Sequence, residues 1–137
     1  MPYPTSPAVT PDLRHFLELA EAAGRVTEVA GPIHPKYRIA RQLFEQPEQV
    51  LVFREVEGCA IGAVGGIAGH RDTLARALGT DAAGLVPHIA QAMASREPMA
   101  VDTPEAPFRE VTVDNPDLFR EIPPVVFYPQ GERAYLS

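Results

Sequence analysis

A chain of 137 residues, 45% hydrophobic and 22% charged, is long enough to bury one core and has a globular rather than a disordered composition. Its formal charge of −6 and its 12 scattered Lys and Arg residues argue against a nucleic-acid surface, which needs clustered cations. No apolar run approaches the roughly 20 residues of a membrane span, the start MPYPTSPAVTP lacks signal-peptide segments, and the lone Cys59 excludes an internal disulfide, so a cytoplasmic protein is expected.

Fifteen prolines gather toward the two ends, so residues 1–10 read as a flexible arm and residues 123–137 as an extended one. Between them, TPDLRHFLELAEAAGR predicts a helix capped by Thr10, with Pro11 in its first turn and Gly24 at its end. Leu13, Phe16, Leu17, Ala20 and Ala23 fall on one face of it. RVTEV (25–29) predicts a short strand, and a second helix runs from Pro35 with Tyr37, Ala40, Leu43 and Phe44 inward, stopping before Pro47. Strands over 49–56 and 60–64 meet at the turn Glu57-Gly58. DTLARALG predicts a third helix ending at Gly79, and DAAGLVPHIAQAMAS a fourth. FREVTV (108–113) predicts another strand and NPDLFREIP a helical turn. The expected fold is α+β, an α/β sandwich: a small mixed sheet packed with about four helices over residues 11–122, followed by the Pro-rich arm. Leu13, Phe16, Leu17, Leu43, Phe44, Leu51, Phe53, Leu74 and Leu78 are the expected core.

Chemistry is hard to find. His15, His34, His70 and His88 share no i, i+4 spacing and no neighbouring ligand pattern, so structural or surface roles are expected. Cys59 enters a strand from a turn with no base or oxyanion partner in view. The carboxylates fall on polar helix faces and in turns. One stretch stands apart: AIGAVGGIAGHR, with Gly62, Gly65, Gly66 and Gly69 ahead of a helix. It matches neither GxGxxG nor GxxxxGK[ST], yet its backbone N–H groups and Arg71 could meet a phosphate. The competing reading is a tight corner that lets the strand bend and the helix pack close. On the residues alone no catalytic, cofactor-binding or metal-binding residue is assigned.

In order and spacing, DLRHFLELAEAAGRVTEV, VLVFREVEG, VGGIAGHRDTLARALGT and APFREVTVDNPDLFREIPPVVFYPQGERAYLS together resemble the N-terminal domain of the UbiD family, the decarboxylases that use prenylated FMN. The resemblance covers residues 11–137. It implies that the glycine stretch is a structural corner in a helper domain. It also implies that the residues holding the flavin phosphate, the metal and the substrate lie on sequence beyond AYLS. Departures from the family pattern fall at Gly66 (Asn in the family), at Arg38 (an acidic residue), at Phe127-Tyr128-Pro129 (His-His-Pro) and at Gly131-Glu132-Arg133 (Asp-Gly-Gly).

The resemblance implies a small non-catalytic subunit, or split N-terminal domain, of a UbiD-like enzyme acting on aromatic or α,β-unsaturated carboxylic acids. This chain alone would bind no cofactor. Prenylated FMN with a divalent metal, and K+ as a candidate further ion, would sit on a larger catalytic partner in a hetero-oligomer, with residues 123–137 at the interface. The alternative in another class is a non-catalytic scaffold derived from the same domain. A stand-alone enzyme built on the corner Gly62–Arg71 lacks a base or nucleophile.

Overall fold

The computed structural model describes residues 12–95 and 110–130. Helix α1 spans Leu13–Ala22. Its cap is Asp12, whose carboxylate accepts the N–H of His15 at 2.9 Å, where the sequence points to Thr10, a residue outside the described ones. Gly24, at φ +66°, ends the helix as expected, and β1 follows over Val26–Val29.

Helix α2 spans Arg38–Glu45 and begins three residues later than the position of Pro35 predicts. The reason is a competing backbone pairing. Tyr37 donates its N–H to the carbonyl of Val126 at 2.9 Å, and Val126 donates back to Pro35 at 3.3 Å, a parallel bridge at Lys36–Val126. Pro35 and Lys36 are therefore tied to the C-terminal arm, and Tyr37 turns at φ 67° before the helix can start.

Strand β2 (Val50–Phe53) pairs in parallel with β1, Val26 facing Val50 through Val29 facing Phe53. Strand β3 (Ala63–Gly65) pairs antiparallel with β2, Leu51 facing Gly65 and Phe53 facing Ala63. The sheet order is β1-β2-β3, and α2 is the crossover that two parallel neighbours require. Helices α3 (Arg71–Ala77), α4 (Leu85–Ala94) and α5 (Leu118–Glu121) complete the described elements. A small mixed sheet with helices is the α+β fold that the sequence predicts. Among the described residues no helix is long and apolar enough to cross a membrane.

Alternation along β2 splits the core between two faces. Leu51 and Phe53 point to one side, where they join Ile39 of α2 and Val56, with Leu43 and Val125 packed against them. Val50 points to the other side and meets Phe16 and Ala20 of α1, with Val64 and Ala77 alongside. Val50 and Leu51 are both fully buried, as a central strand covered on both faces must be.

Of the expected core, Phe16, Leu51 and Phe53 are buried and Leu17, Leu43 and Leu74 half-buried, while Leu13, Phe44 and Leu78 are exposed. Phe44 is 87% exposed because Ile39 and Leu43, one helical turn apart, set the inward face of α2 and leave the next position turned to solvent. Leu13 opens α1, and Leu78 lies just past the end of α3. The strand expected over 108–113 is corrected where it is described, residues 108 and 109 lying outside the described residues. Residues 110–113 form no strand, and Val111 and Val113 are exposed, since no strand among the described residues pairs with them.

Candidate functional site

The glycine corner is tightly packed on the side a Cβ would occupy. A Cβ on Gly62 would overlap the carbonyl of Phe53, and one on Gly66 the carbonyl of Gln49; on Gly65 it would come within 2.8 Å of the Leu43 side chain. Gly66 also sits at φ +85°, where side chains are strained. Gly69 donates its N–H to Gly66 at 3.1 Å, and Arg71 donates Nε to the carbonyl of Ala82 at 2.9 Å. Backbone and side-chain atoms occupy the space a Cβ would need at Gly62, Gly65 and Gly66, and Arg71 is turned toward the loop before α4. Of the two readings the sequence leaves, the tight corner is the one the packing supports.

The histidines are not brought together. His70 accepts the N–H of Asp72 at the start of α3, and Nδ1 of His34 accepts the N–H of Lys36 at 3.1 Å. His15 lies 3.8 Å from Glu18 on the surface. Among the described residues no three His, Cys, Asp or Glu side chains are placed to hold a metal ion. Cys59 is half-buried against the core, with Sγ 3.7 Å from the carbonyl of Glu57 and 3.9 Å from that of Phe119. Burial pushes its thiol up from the ordinary value, opposite to what a nucleophilic cysteine requires.

Two concavities flank α2. The first, about 810 Å³, is an apolar trough over the glycine corner. Ile39 and Leu43 form one wall, Gly62 and Gly66 the floor, and Pro123 and Phe127 of the arm the far side. Ile61 and Phe119, exposed beside it, lie where the N–H of Ala60 meets the carbonyl of Arg120 at 2.8 Å. The second, about 860 Å³, is a polar basin on the opposite side, lined by His34, Lys36, Tyr37, Arg38, Arg41 and Glu57 among others. Two of the departures, Gly66 and Phe127, thus share the trough, Arg38 lies in the basin, Tyr128 is exposed, and Gly131, Glu132 and Arg133 lie outside the described residues.

Neither concavity is visible in a motif search. The trough combines residues from four separate segments. The basin's cations, by contrast, lie within one short stretch, KYRIAR, whose three charges in six residues were a legible signal that a whole-chain tally of scattered cations dilutes.

Residues 17–93 match the 3-octaprenyl-4-hydroxybenzoate carboxy-lyase N-terminal domain family. No curated protein matches the sequence. Among solved structures, the UbiD-class enzyme HmfF from Pelotomaculum thermopropionicum in complex with FMN superposes with a TM-score of 0.75 at 27% identity, over 85% of this chain and 27% of that chain. An evolved dimeric form of HmfF from the same organism, in complex with prFMN, gives 0.77 at 26% identity, over 87% of this chain and 28% of that one. The chain therefore spans little more than a quarter of the length of these enzymes. The resemblance drawn from the sequence holds: a family match over more than half of the residues, joined to the shared fold, shows that the chain belongs to the UbiD N-terminal domain family.

Proposed function

We propose that this chain is a small non-catalytic subunit, or the split N-terminal domain, of a UbiD-like decarboxylase. A larger partner carries prenylated FMN, a divalent metal and the groups that remove CO2 from an aromatic or α,β-unsaturated carboxylic acid. The observation that carries this reading is the match of this chain to about a quarter of an enzyme solved with FMN. No catalytic step is assigned to residues of this chain. Its contribution is fold completion and interface. The trough and the exposed Ile61 and Phe119 supply the apolar surface that a soluble monomer usually covers.

The arm divides in two under this reading. Pro123 and Val126 are buried on this domain while Tyr128 is exposed, so under this proposal the partner-facing part of the arm begins at Tyr128 and runs to residue 137. Co-expression with a UbiD-like catalytic chain tests the proposal. A stable complex with gained decarboxylase activity is expected, and deletion of 128–137 should abolish association while the urea midpoint of the isolated chain stays unchanged. Stoichiometric flavin absorbance on the isolated chain would overturn the non-catalytic assignment. Failure to associate with any such chain would favour the scaffold alternative.

A further inference from the structure

We propose that the basin beside α2 binds a small oxyanion, a compound carrying phosphate or carboxylate groups. The inference stands apart from the decarboxylase reading. At about 860 Å³ the basin lies within the size range of small-molecule sites. Three of the chain's 12 cations, Lys36, Arg38 and Arg41, line it, and Lys36 is the only lysine in the sequence. Two carboxylates also line it, Glu45 and Glu57. Arg41 holds Glu45 at 2.7 Å, so that pair is internally neutralised. Among the described residues Lys36 and Arg38 have no carboxylate within ion-pair distance. In a chain of net charge −6, this is a local reversal of sign.

The donors are held on a fixed frame. Tyr37 adopts φ 67°, a conformation that side-chain-bearing residues seldom take and that persists only where neighbours enforce it. Here the enforcement is visible: its N–H is tied to Val126 at 2.9 Å, and Arg38 closes a three-residue turn onto the carbonyl of Lys36 at 2.9 Å. Lys36 Nζ lies 5.3 Å from the centre of the Tyr37 ring. Because Nδ1 of His34 accepts the N–H of Lys36, its Nε2 is the nitrogen left to donate. No side chain caps the start of α2, so the positive helix end adds to the field at Arg38. Solvated surface cations require neither a strained turn nor a concave setting. The cations are too few for a nucleic-acid track, and the basin is separated by α2 from the apolar surface a protein partner would favour.

The test uses the full 137-residue chain and an amine-reactive ester. Lys36 is the only side-chain amine, so peptide mapping reads its acylation against the α-amino group as an internal control. Inorganic pyrophosphate and citrate are the probes, with sodium chloride matching ionic strength. Saturable protection of Lys36, with the α-amino group unaffected, is expected from at least one probe; pyrophosphate alone assigns phosphate, citrate alone carboxylate. Arg38→Gln should raise the half-protecting concentration about tenfold, the loss of one charged hydrogen bond. Arg14→Gln on α1 should not change it. Protection reproduced by salt alone, or unchanged in Arg38→Gln, would overturn the site. So would protection by poly-glutamate but by neither small probe, which would make the basin a protein-docking surface.

Discussion

The two sides of α2 differ although they are built from one eight-residue helix. Toward the trough it presents Ile39 and Leu43, packed on Leu51 and Phe53 of the central strand. Toward the basin it presents Arg38, Arg41, Gln42 and Glu45 at the complementary helical spacing. The first side is held by burial and tolerates no change of volume. The second is held by backbone hydrogen bonds to the arm, so its side chains are free to be chosen for charge. A helix of this kind lets one side carry the fold while the other carries charge.

The adjacent pair Ile39 and Arg38 tests this division most severely. Ile39, 2% exposed, should cost about 2–5 kcal/mol on substitution to Ala, through lost burial and the cavity left behind. Arg38→Gln should stay within about 0.5 kcal/mol, as should Phe44→Ala on the solvent side. Urea unfolding of the three variants measures this directly. A large loss for Arg38→Gln would mean that the basin side also carries the fold.

Glycines sharpen the same contrast at a smaller scale. Gly66 on the trough side has both a left-handed φ and a carbonyl in the way of a Cβ, so Gly66→Ala should cost about 1–3 kcal/mol. Gly31 stands between two basin-lining residues at φ +74° with open space around it, so Gly31→Ala meets only the left-handed penalty of about 1 kcal/mol. Equal costs would mean that the corner is looser than its packing indicates.

On the far face of the sheet, Thr73 is 1% exposed and its hydroxyl has no hydrogen-bond partner. Thr73→Val keeps the shape and removes the orphaned donor, so a gain of about 1 kcal/mol is expected in thermal or urea unfolding. A loss would point to an ordered water satisfying the hydroxyl.

How much of this was legible depends on which force set each element. β1, the end of α1 at Gly24, the stop before Pro47 and the turn at Gly58 follow from local rules, and the sequence predicts them. The delayed start of α2 does not, because it depends on Val126, some ninety residues away along the chain, pairing with Lys36. Phe44 reads as core from its hydrophobicity alone, and only the register set by Ile39 and Leu43 turns it outward. FREVTV has a strand's alternation, but alternation cannot supply a neighbouring edge. The candidate site follows the same division. The glycine stretch reads as a motif and is tightly packed, whereas the basin's charges lie in plain view in KYRIAR but acquire meaning only through the turn that Tyr37 makes.

The two reactive side chains offer the finest comparison, since Lys36 stands in the basin and Cys59 is packed beside the trough. Burial raises the Cys59 thiol, so the folded chain holds that proton more tightly than the unfolded chain, whose thiol titrates near its usual value of about 8.5. Below that pH both states carry the proton and the full preference for the neutral thiol supports the fold. As pH rises through the folded value that support is lost, because the unfolded chain has already released its proton. The urea midpoint of the native sequence should therefore decline on the alkaline side of about pH 8.5, and Cys59→Ala should remove this part of the decline. Iodoacetamide should alkylate Cys59 slowly at neutral pH and accelerate in urea, whereas Lys36 should acylate at the same rate at low urea as in native buffer. A Cys59 that alkylates at neutral pH as fast as an unfolded thiol would show the trough side to be open, and the contrast between the two faces of α2 would fail there first.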